Sequence, residues 1–160
     1  MESEENFEGE PVYLNVYNFT PLNAIFKLFG CAIYHTGVQV YNSEYWYGGH
    51  NYDKSGIMKT KPSAIKIELK ESILIGVTKM NELEVDMEIY DMSRTWLGSK
   101  YEPFDHNCND FSKEFMQRIL NYSFMPRYIL RFKSLKYFLK PVYEPLRVLF
   151  QESYLVNNSK

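Results

Sequence analysis

The sequence predicts an α+β domain, in which a small antiparallel sheet or barrel from the first half of the chain packs against helices from the second half. Two observations support this class. Apolar residues repeat with a period of two in much of the chain before Thr78 and with a period near 3.6 after it. The chain has 160 residues, the usual length of one domain and enough to bury a core without disulfides or a metal.

Strand periodicity is found in four stretches of the first half. Residues 12–19 and 33–41 alternate between two faces, and residues 44–47 follow as the return strand of a hairpin. Alternation places His35 on the face opposite to Val38 and Val40. Residues 65–70, where isoleucine and leucine alternate with charged residues, predict another half-buried strand.

Two further segments of the first half connect these strands. Residues 22–29 are apolar and aromatic without clean alternation, which predicts either a short helix or a covering loop. Gly48 and Gly49 predict a loop with unusual backbone angles.

Three helices are predicted in the second half. The first begins at a capping box formed by Asn81 and Glu84 and stops at Gly98; its apolar stripe comprises Met80, Leu83, Met87 and Tyr90. The second runs from residue 108 to residue 120, where Phe111, Phe115 and Ile119 share a stripe. Pro126 is expected to open the third helix, because proline is favoured at helix starts.

Composition and charge exclude several classes of function. The chain carries 18 Lys and Arg against 20 Asp and Glu, so no broad basic surface is expected and dedicated nucleic-acid binding is excluded. Charged residues interrupt every hydrophobic stretch, so no membrane span is expected. Five glutamates in residues 1–10 predict a disordered acidic tail and are the reverse of a secretory signal. A cytoplasmic location, with a nuclear one also open, is the expectation.

The chain has two cysteines, Cys31 and Cys108, and both are expected to be thiols in a reducing compartment. Cys31 lies among apolar residues and is expected to be an inert packed thiol. Cys108 differs, because Asn107 and Asp110 have the spacing of an N-cap and its capping-box partner. Cys108 would then occupy the first helical position.

A helix N-terminus favours a thiolate, but only by about 0.3–1 kcal/mol at an exposed site. One pKa unit corresponds to about 1.36 kcal/mol, so a reactive thiolate needs a second positive partner. The imidazolium of His35 is the candidate. A cysteine and a histidine together supply a nucleophile and a proton donor for acyl transfer to sulfur.

The residues alone leave alternatives open at each of these positions. Cys108 and His35 could both be packed structural residues, and His106 could tune Cys108 or be only a partly solvated neighbour of the helix cap. A zinc site at His35, His106 and Cys108 is disfavoured, because structural zinc usually takes four ligands. No metal and no cofactor is expected.

Four motifs resemble the PPPDE family, the desumoylating isopeptidases, in order and in spacing. They are Tyr34-His35-Thr36-Gly37-Val38, Glu44-Tyr45-Trp46-Tyr47-Gly48-Gly49, Gly76-Val77-Thr78 and His106-Asn107-Cys108-Asn109-Asp110-Phe111-Ser112. The resemblance extends over residues 12–129, roughly three-quarters of the chain. Departures are Asn18, where the family commonly has aspartate, and the longer polar loop at residues 50–52.

The resemblance implies a permuted papain-like fold in which Cys108 is the nucleophile and His35 the catalytic base. It implies cleavage of a ubiquitin-like modifier, SUMO or ubiquitin, from lysine of target proteins. Two alternatives remain: a thioesterase that removes palmitoyl groups from cysteine with the same dyad, and a non-catalytic adaptor that binds a modifier or a membrane. Candidate substrate-binding residues are Trp46, Tyr45 and Asn107, since amphipathic rings can hold an extended peptide.

The end of the chain has a strong charge asymmetry. Residues 127–147 contain six basic residues and one acidic residue, a local charge of +5. Together with an apolar stripe, this predicts either a basic amphipathic helix on an anionic membrane surface or a docked helix with solvated lysines. The predicted organisation is a tail over residues 1–10, a catalytic domain over 11–130 and a basic extension over 131–160, with a homodimer left open.

Overall fold

The computed structural model describes residues 8–20, 32–62, 64–134 and 136. Among these residues five strands form one antiparallel sheet in the order β4-β3-β2-β1-β5: β1 (Glu10–Asn18), β2 (Tyr34–Val40), β3 (Ser43–Tyr47), β4 (Ile57–Thr60) and β5 (Leu69–Thr78). The helices are α1 (Glu82–Ser93), α2 (Cys108–Leu120) and α3 (Arg127–Ser134), with a 3-10 turn at Gly98–Lys100. The predicted α+β class is confirmed, and the architecture is consistent with a papain-like fold.

The main core lies between one face of the sheet and helix α2. Alternation turns Leu14, Val16 and Val38 to this face, where each is fully buried. Helix α2 contributes Phe111, Phe115, Met116 and Ile119, which confirms the apolar stripe predicted for this helix.

The other face of the sheet buries polar and aromatic side chains. Tyr17 pairs with His35 across β1 and β2, so the two side chains lie side by side on this face. Glu44 of β3 is fully buried there, and both of its carboxylate oxygens lie within 2.9 Å of the Tyr17 hydroxyl, which donates to them. His35 thus lies on the face opposite to the aliphatic residues of β2, as alternation predicts.

The strand predicted over residues 65–70 is wrong in its boundaries. Strand β5 begins at Leu69, whose partner on β1 is Tyr17, near the end of that strand. Before Leu69 the chain diverges from β1, although the backbone amide and the side chain of Asn18 still donate to the carbonyl and the carboxylate of Glu68. The alternating residues 65–68 therefore do not pair as a strand. Strand β4 has no apolar alternation and was not expected from the sequence.

Backbone angles also differ from expectation. Gly48 and Gly49 have no positive φ; of the described non-glycine residues, only Tyr41 and Asn121 do. Tyr41 forms the tight turn between β2 and β3, with φ of 54°. Position 49 requires glycine for a steric reason and not for its backbone angles, because a Cβ atom there would lie 2.9 Å from Cβ of Tyr101.

Helix α1 begins as the sequence predicts. The Asn81 side chain accepts from the Glu84 amide at 3.0 Å, and the Glu84 carboxylate accepts from the Asn81 amide at 2.7 Å, which completes the capping box. The helix ends at Ser93 rather than at Gly98. Gly98 lies in the 3-10 turn, where a Cβ atom would come within 2.4 Å of the His50 ring.

Several predictions fall wholly or partly outside the described residues: the segment 22–29, Cys31, most of the tail 1–10 and most of the extension 131–160. Pro126 directly precedes α3, in agreement with the predicted helix start. Within the described part of the chain, none of the helices has the length and apolar character needed to cross a bilayer.

Candidate active site

Cys108 is the first residue of helix α2. The Asn107 side-chain oxygen accepts hydrogen bonds from the amides of Asn109 and Asp110, at 2.9 and 3.2 Å, and the Asp110 carboxylate accepts from the Asn107 amide at 3.2 Å. The capping box predicted from the sequence is therefore present. It fixes Cys108 at the positive end of the helix dipole.

Helix α3 holds the segment that leads into Cys108. Lys133 forms an ion pair with Asp110, and Lys136 forms one with Asp105. In addition, Phe132 stacks on Phe104, with ring centroids 5.1 Å apart and planes 10° from parallel. Helix α3 is docked, and its Lys133, together with Lys136 beyond its end, forms ion pairs with the segment around the cysteine.

Strand β2 reaches helix α2 through Thr36, the residue after His35. The Thr36 hydroxyl oxygen lies 2.9 Å from the Asn109 side-chain oxygen, 2.9 Å from the Ser112 hydroxyl and 3.3 Å from the Cys108 carbonyl oxygen. All of these groups belong to the first turns of α2. The fold therefore brings the strand that carries His35 into contact with the helix start that carries Cys108.

The Cys108 thiol is buried, and polar atoms of Tyr101 and Asn109 lie near it. Its residue is 4% exposed, and its Sγ lies 3.9 Å from the Tyr101 hydroxyl and 3.8 Å from the Asn109 side-chain oxygen. Burial raises the pKa of the thiol above its ordinary value, because desolvation disfavours the thiolate. Backbone N–H groups of Thr36 and Asn109 and the Tyr101 hydroxyl act in the opposite direction but do not cancel this effect.

His35 is buried in an aromatic environment. Its ring lies against Trp46, at 5.5 Å between centroids and nearly perpendicular, and near Tyr17 and Phe19 at 6.1 and 6.5 Å. Neither ring nitrogen makes a hydrogen bond with a described residue, so none joins the imidazole to Cys108 Sγ. Desolvation lowers the pKa of His35 from 6.5 to about 4. These pKa shifts favour a neutral thiol and a neutral imidazole.

The other candidate residues occupy different environments. Trp46 is buried beside His35, whereas Tyr45 lies in the core against Phe115 and donates its hydroxyl hydrogen to Asp86. Asn107 caps helix α2 and also donates to the Pro103 carbonyl.

His106 stacks on Trp96, with centroids 4.1 Å apart and planes 11° from parallel, and burial lowers its pKa. The described residues contain no group of three or more His, Cys, Asp or Glu residues that could hold a metal.

Two residues near the thiol were not recognised from the sequence. Thr36 had a usable signal, since a threonine on the apolar face of a buried strand needs a hydrogen-bonding partner. Tyr101 had none, because it lies outside the regular elements and approaches Cys108 only in the folded structure. The Gly49 loop packs directly on Tyr101, so this loop also borders the site.

Gly37 provides a stability test of the buried polar face. A Cβ atom at Gly37 would lie 2.5 Å from Oε1 of Glu44, the oxygen that receives the Tyr17 hydroxyl hydrogen at 2.7 Å. Gly37→Ala should displace this carboxylate and leave buried polar groups unsatisfied, at a cost of about 1–3 kcal/mol in the free energy of unfolding measured with urea. Gly76→Ala is the matched control, because its Cβ meets Leu120 at 3.6 Å. Equal stability of the two variants would contradict this prediction.

The fold and site define a class of protein: an α+β domain in which a cysteine begins a helix and a histidine lies on the adjoining strand. The sequence matches the family model described as the PPPDE putative peptidase domain over residues 10–144. The chain belongs to this family.

Curated relatives carry related names. The chain is 37% identical over 105 residues to a DeSI-like protein of Arabidopsis thaliana, covering 65% of this chain and 47% of the relative. It is 34% identical over 106 residues to the desumoylating isopeptidase 1 homolog of Caenorhabditis elegans, covering 63% and 32%. For desumoylating isopeptidase 1 of Xenopus laevis the identity is 31% over 106 residues, covering 64% and 59%. The matched region thus spans about a third to three-fifths of each of these relatives.

Proposed function

We propose that this protein is a cysteine isopeptidase that removes a ubiquitin-like modifier, SUMO or ubiquitin, from lysine side chains of target proteins. The observation that carries the proposal is the contact between Thr36 and the start of α2, because it brings the segments of His35 and Cys108 together. SUMO is the preferred modifier, since two of the relatives described above are named as desumoylating isopeptidases.

In the proposed reaction a neutral imidazole is the starting form of the base. His35 takes the proton from Cys108 as the sulfur attacks the isopeptide carbonyl, and a tetrahedral oxyanion forms. The backbone N–H of Cys108, which the capping box does not use, stabilises this oxyanion. The imidazolium then protonates the lysine amine as the C–N bond breaks, which leaves a thioester on Cys108. Water, deprotonated by His35, hydrolyses the thioester and restores the thiol.

The burial of both groups is compatible with this mechanism. Alternation puts His35 on the opposite face of β2 from Thr36, so proton transfer requires the imidazole to approach Sγ when substrate binds. Catalytic hydrogen bonds that are long or poorly aligned in the free enzyme commonly tighten in the complex. The low pKa of His35 keeps it in the form that accepts a proton at neutral pH. Substrate entry then requires the sulfur to become accessible, and Tyr101 with the Gly49 loop forms the adjoining wall that would move.

Burial of the thiol also favours a second candidate, a non-catalytic adaptor that keeps the fold and binds a modifier. A thiol with a raised pKa and an imidazole with a lowered pKa are both less reactive than an ion pair. The two candidates differ in whether any substrate is turned over.

A substrate panel tests the proposal. The wild-type protein is given SUMO or ubiquitin joined through its C-terminus to the lysine of a fluorescent peptide, and a palmitoyl-cysteine peptide. We expect turnover of at least one modifier conjugate, with the higher kcat/KM on the SUMO conjugate by about tenfold or more. Turnover of the palmitoyl peptide alone would replace the isopeptidase by a thioesterase. Binding of a modifier without turnover of any substrate would favour the adaptor.

A further inference from the structure

Helix α1 exposes a row of large apolar side chains. Leu83 is 71% exposed, Met87 63% and Tyr90 74%. Their spacing of four and then three residues places them on one face of the helix, and we call these three residues the α1 stripe. They belong to the apolar stripe found in the sequence, of which only Met80 packs against the core.

The orientation of α1 reverses the usual arrangement of an amphipathic helix. Its buried residues are Val85 and Met92, and the apolar row found in the sequence faces solvent. Isolated exposed apolar side chains are common, but a contiguous row on one helix face is typical of an interaction surface. The proposed hydrolysis does not use this face.

The α1 stripe is bordered by carboxylates. Helix α1 contains five acidic residues and no basic residue: Glu82, Glu84, Asp86, Glu88 and Asp91. Lys59 pairs with Asp86, and Arg118 pairs with Glu88 and Asp91, while Glu84 completes the capping box. Lys79 and Arg94 lie just beyond the two ends of the helix. Between its ends the helix has five acidic groups against the two bridging cations, and with Lys79 and Arg94 at the ends the net charge of this surface is −1.

We propose that the α1 stripe binds the folded body of the modifier whose C-terminal tail is cleaved at Cys108, through an apolar patch on the modifier bordered by lysine and arginine. The inference rests on the proposed function for the identity of the partner. Charge complementarity selects this partner, because the acidic border disfavours an anionic membrane or another acidic surface. A second contact outside the cleft raises affinity for the intact conjugate by making tail binding intramolecular.

The test measures binding without cleavage. Full-length Cys108→Ala protein is titrated by calorimetry with SUMO or ubiquitin from which the C-terminal tail has been removed, so the cleft contributes nothing. We expect saturable binding of at least one modifier that weakens as NaCl concentration rises. Met87→Ser and Tyr90→Ser should each weaken it by tenfold or more, since central apolar and aromatic contacts carry most interface affinity.

Matched variants show whether a loss of binding comes from the α1 stripe or from removing any exposed apolar side chain. Leu74→Ser on β5 removes another exposed leucine, 53% exposed, and should leave binding unchanged, whereas Leu83→Ser should weaken it. Glu82→Gln removes an acidic group that pairs with no described residue and should reduce the salt dependence. On the intact conjugate, the stripe variants should raise KM several-fold and leave kcat unchanged.

Three outcomes would overturn the inference: no binding of either tail-less modifier, binding that is indifferent to all three stripe substitutions, or concentration-dependent self-association abolished by those substitutions. The last outcome would assign the surface to a second copy of the chain. Failure of the proposed function has a different signature, namely stripe-dependent binding of the modifier without turnover of any conjugate by the wild-type protein.

Discussion

Replacing Cys108 with alanine should abolish cleavage of the modifier–lysine conjugate, with a loss of about 10⁴-fold or more in kcat. The expected loss is this large because the sulfur forms the covalent intermediate, and removal of a nucleophile leaves only the contributions of binding and oxyanion stabilisation. The measurement is single-turnover cleavage of the fluorescent SUMO conjugate, with an electrophilic SUMO probe to detect the covalent adduct.

Cys31→Ala is the matched control, because it removes the only other cysteine of the chain. This variant should keep both cleavage and adduct formation. Circular dichroism of Cys108→Ala should match the wild type, since alanine fits the space of the buried thiol. Retained cleavage by Cys108→Ala, or loss of the adduct in Cys31→Ala alone, would reject Cys108 as the nucleophile.

The protonation states of the candidate pair differ from the sequence-based expectation. The sequence predicts a thiolate paired with an imidazolium, because the helix dipole alone is too weak to deprotonate the thiol. Burial opposes both charged forms, and the resulting desolvation moves the pKa values of Cys108 upward and His35 downward. The sequence could place the two residues on their elements, but the extent of burial depends on the whole fold.

Local features of the fold could be predicted from the sequence. The capping boxes at Asn81 and Asn107 involve residues three positions apart, and both are present. Strand alternation likewise predicts the faces of β1 and β2. Features that depend on distant partners could not be predicted, such as the start of β5, which is set by where β1 ends, and the outward orientation of Leu83 and Tyr90.

The candidate site shows the same division between local and distant information. Cys108 at the helix start follows from neighbouring residues, and its proposed role with His35 follows from the family resemblance. The contact of Thr36 with the first turns of α2 joins residues more than 70 positions apart. The burial of the Glu44 carboxylate, on the sheet face that carries Tyr17 and His35, could not be predicted either, because an acidic residue in a short alternating strand normally faces solvent.

Acid should destabilise the protein well above the pH at which its carboxylates titrate, because of His35. Burial lowers the pKa of this imidazole from 6.5 to about 4, so between these values the unfolded chain binds a proton that the folded chain does not. The free energy of unfolding therefore falls as pH decreases from 6.5 towards 4, by about 3 kcal/mol in total. Urea unfolding at intervals between pH 7 and pH 4 measures this loss.

His35→Gln should remove the larger part of this pH dependence between pH 6.5 and pH 5, whatever its effect on stability at pH 7. The remainder belongs to His106, whose pKa is also lowered by burial. Carboxylates with lowered pKa values, such as Asp86 and Glu71, contribute only at lower pH, because their ordinary values are 3.8 and 4.5. His50→Gln is the control and should keep the wild-type slope. If His35→Gln keeps that slope instead, His35 is charged or accessible in the folded protein, and a neutral buried imidazole cannot be the starting form of the base.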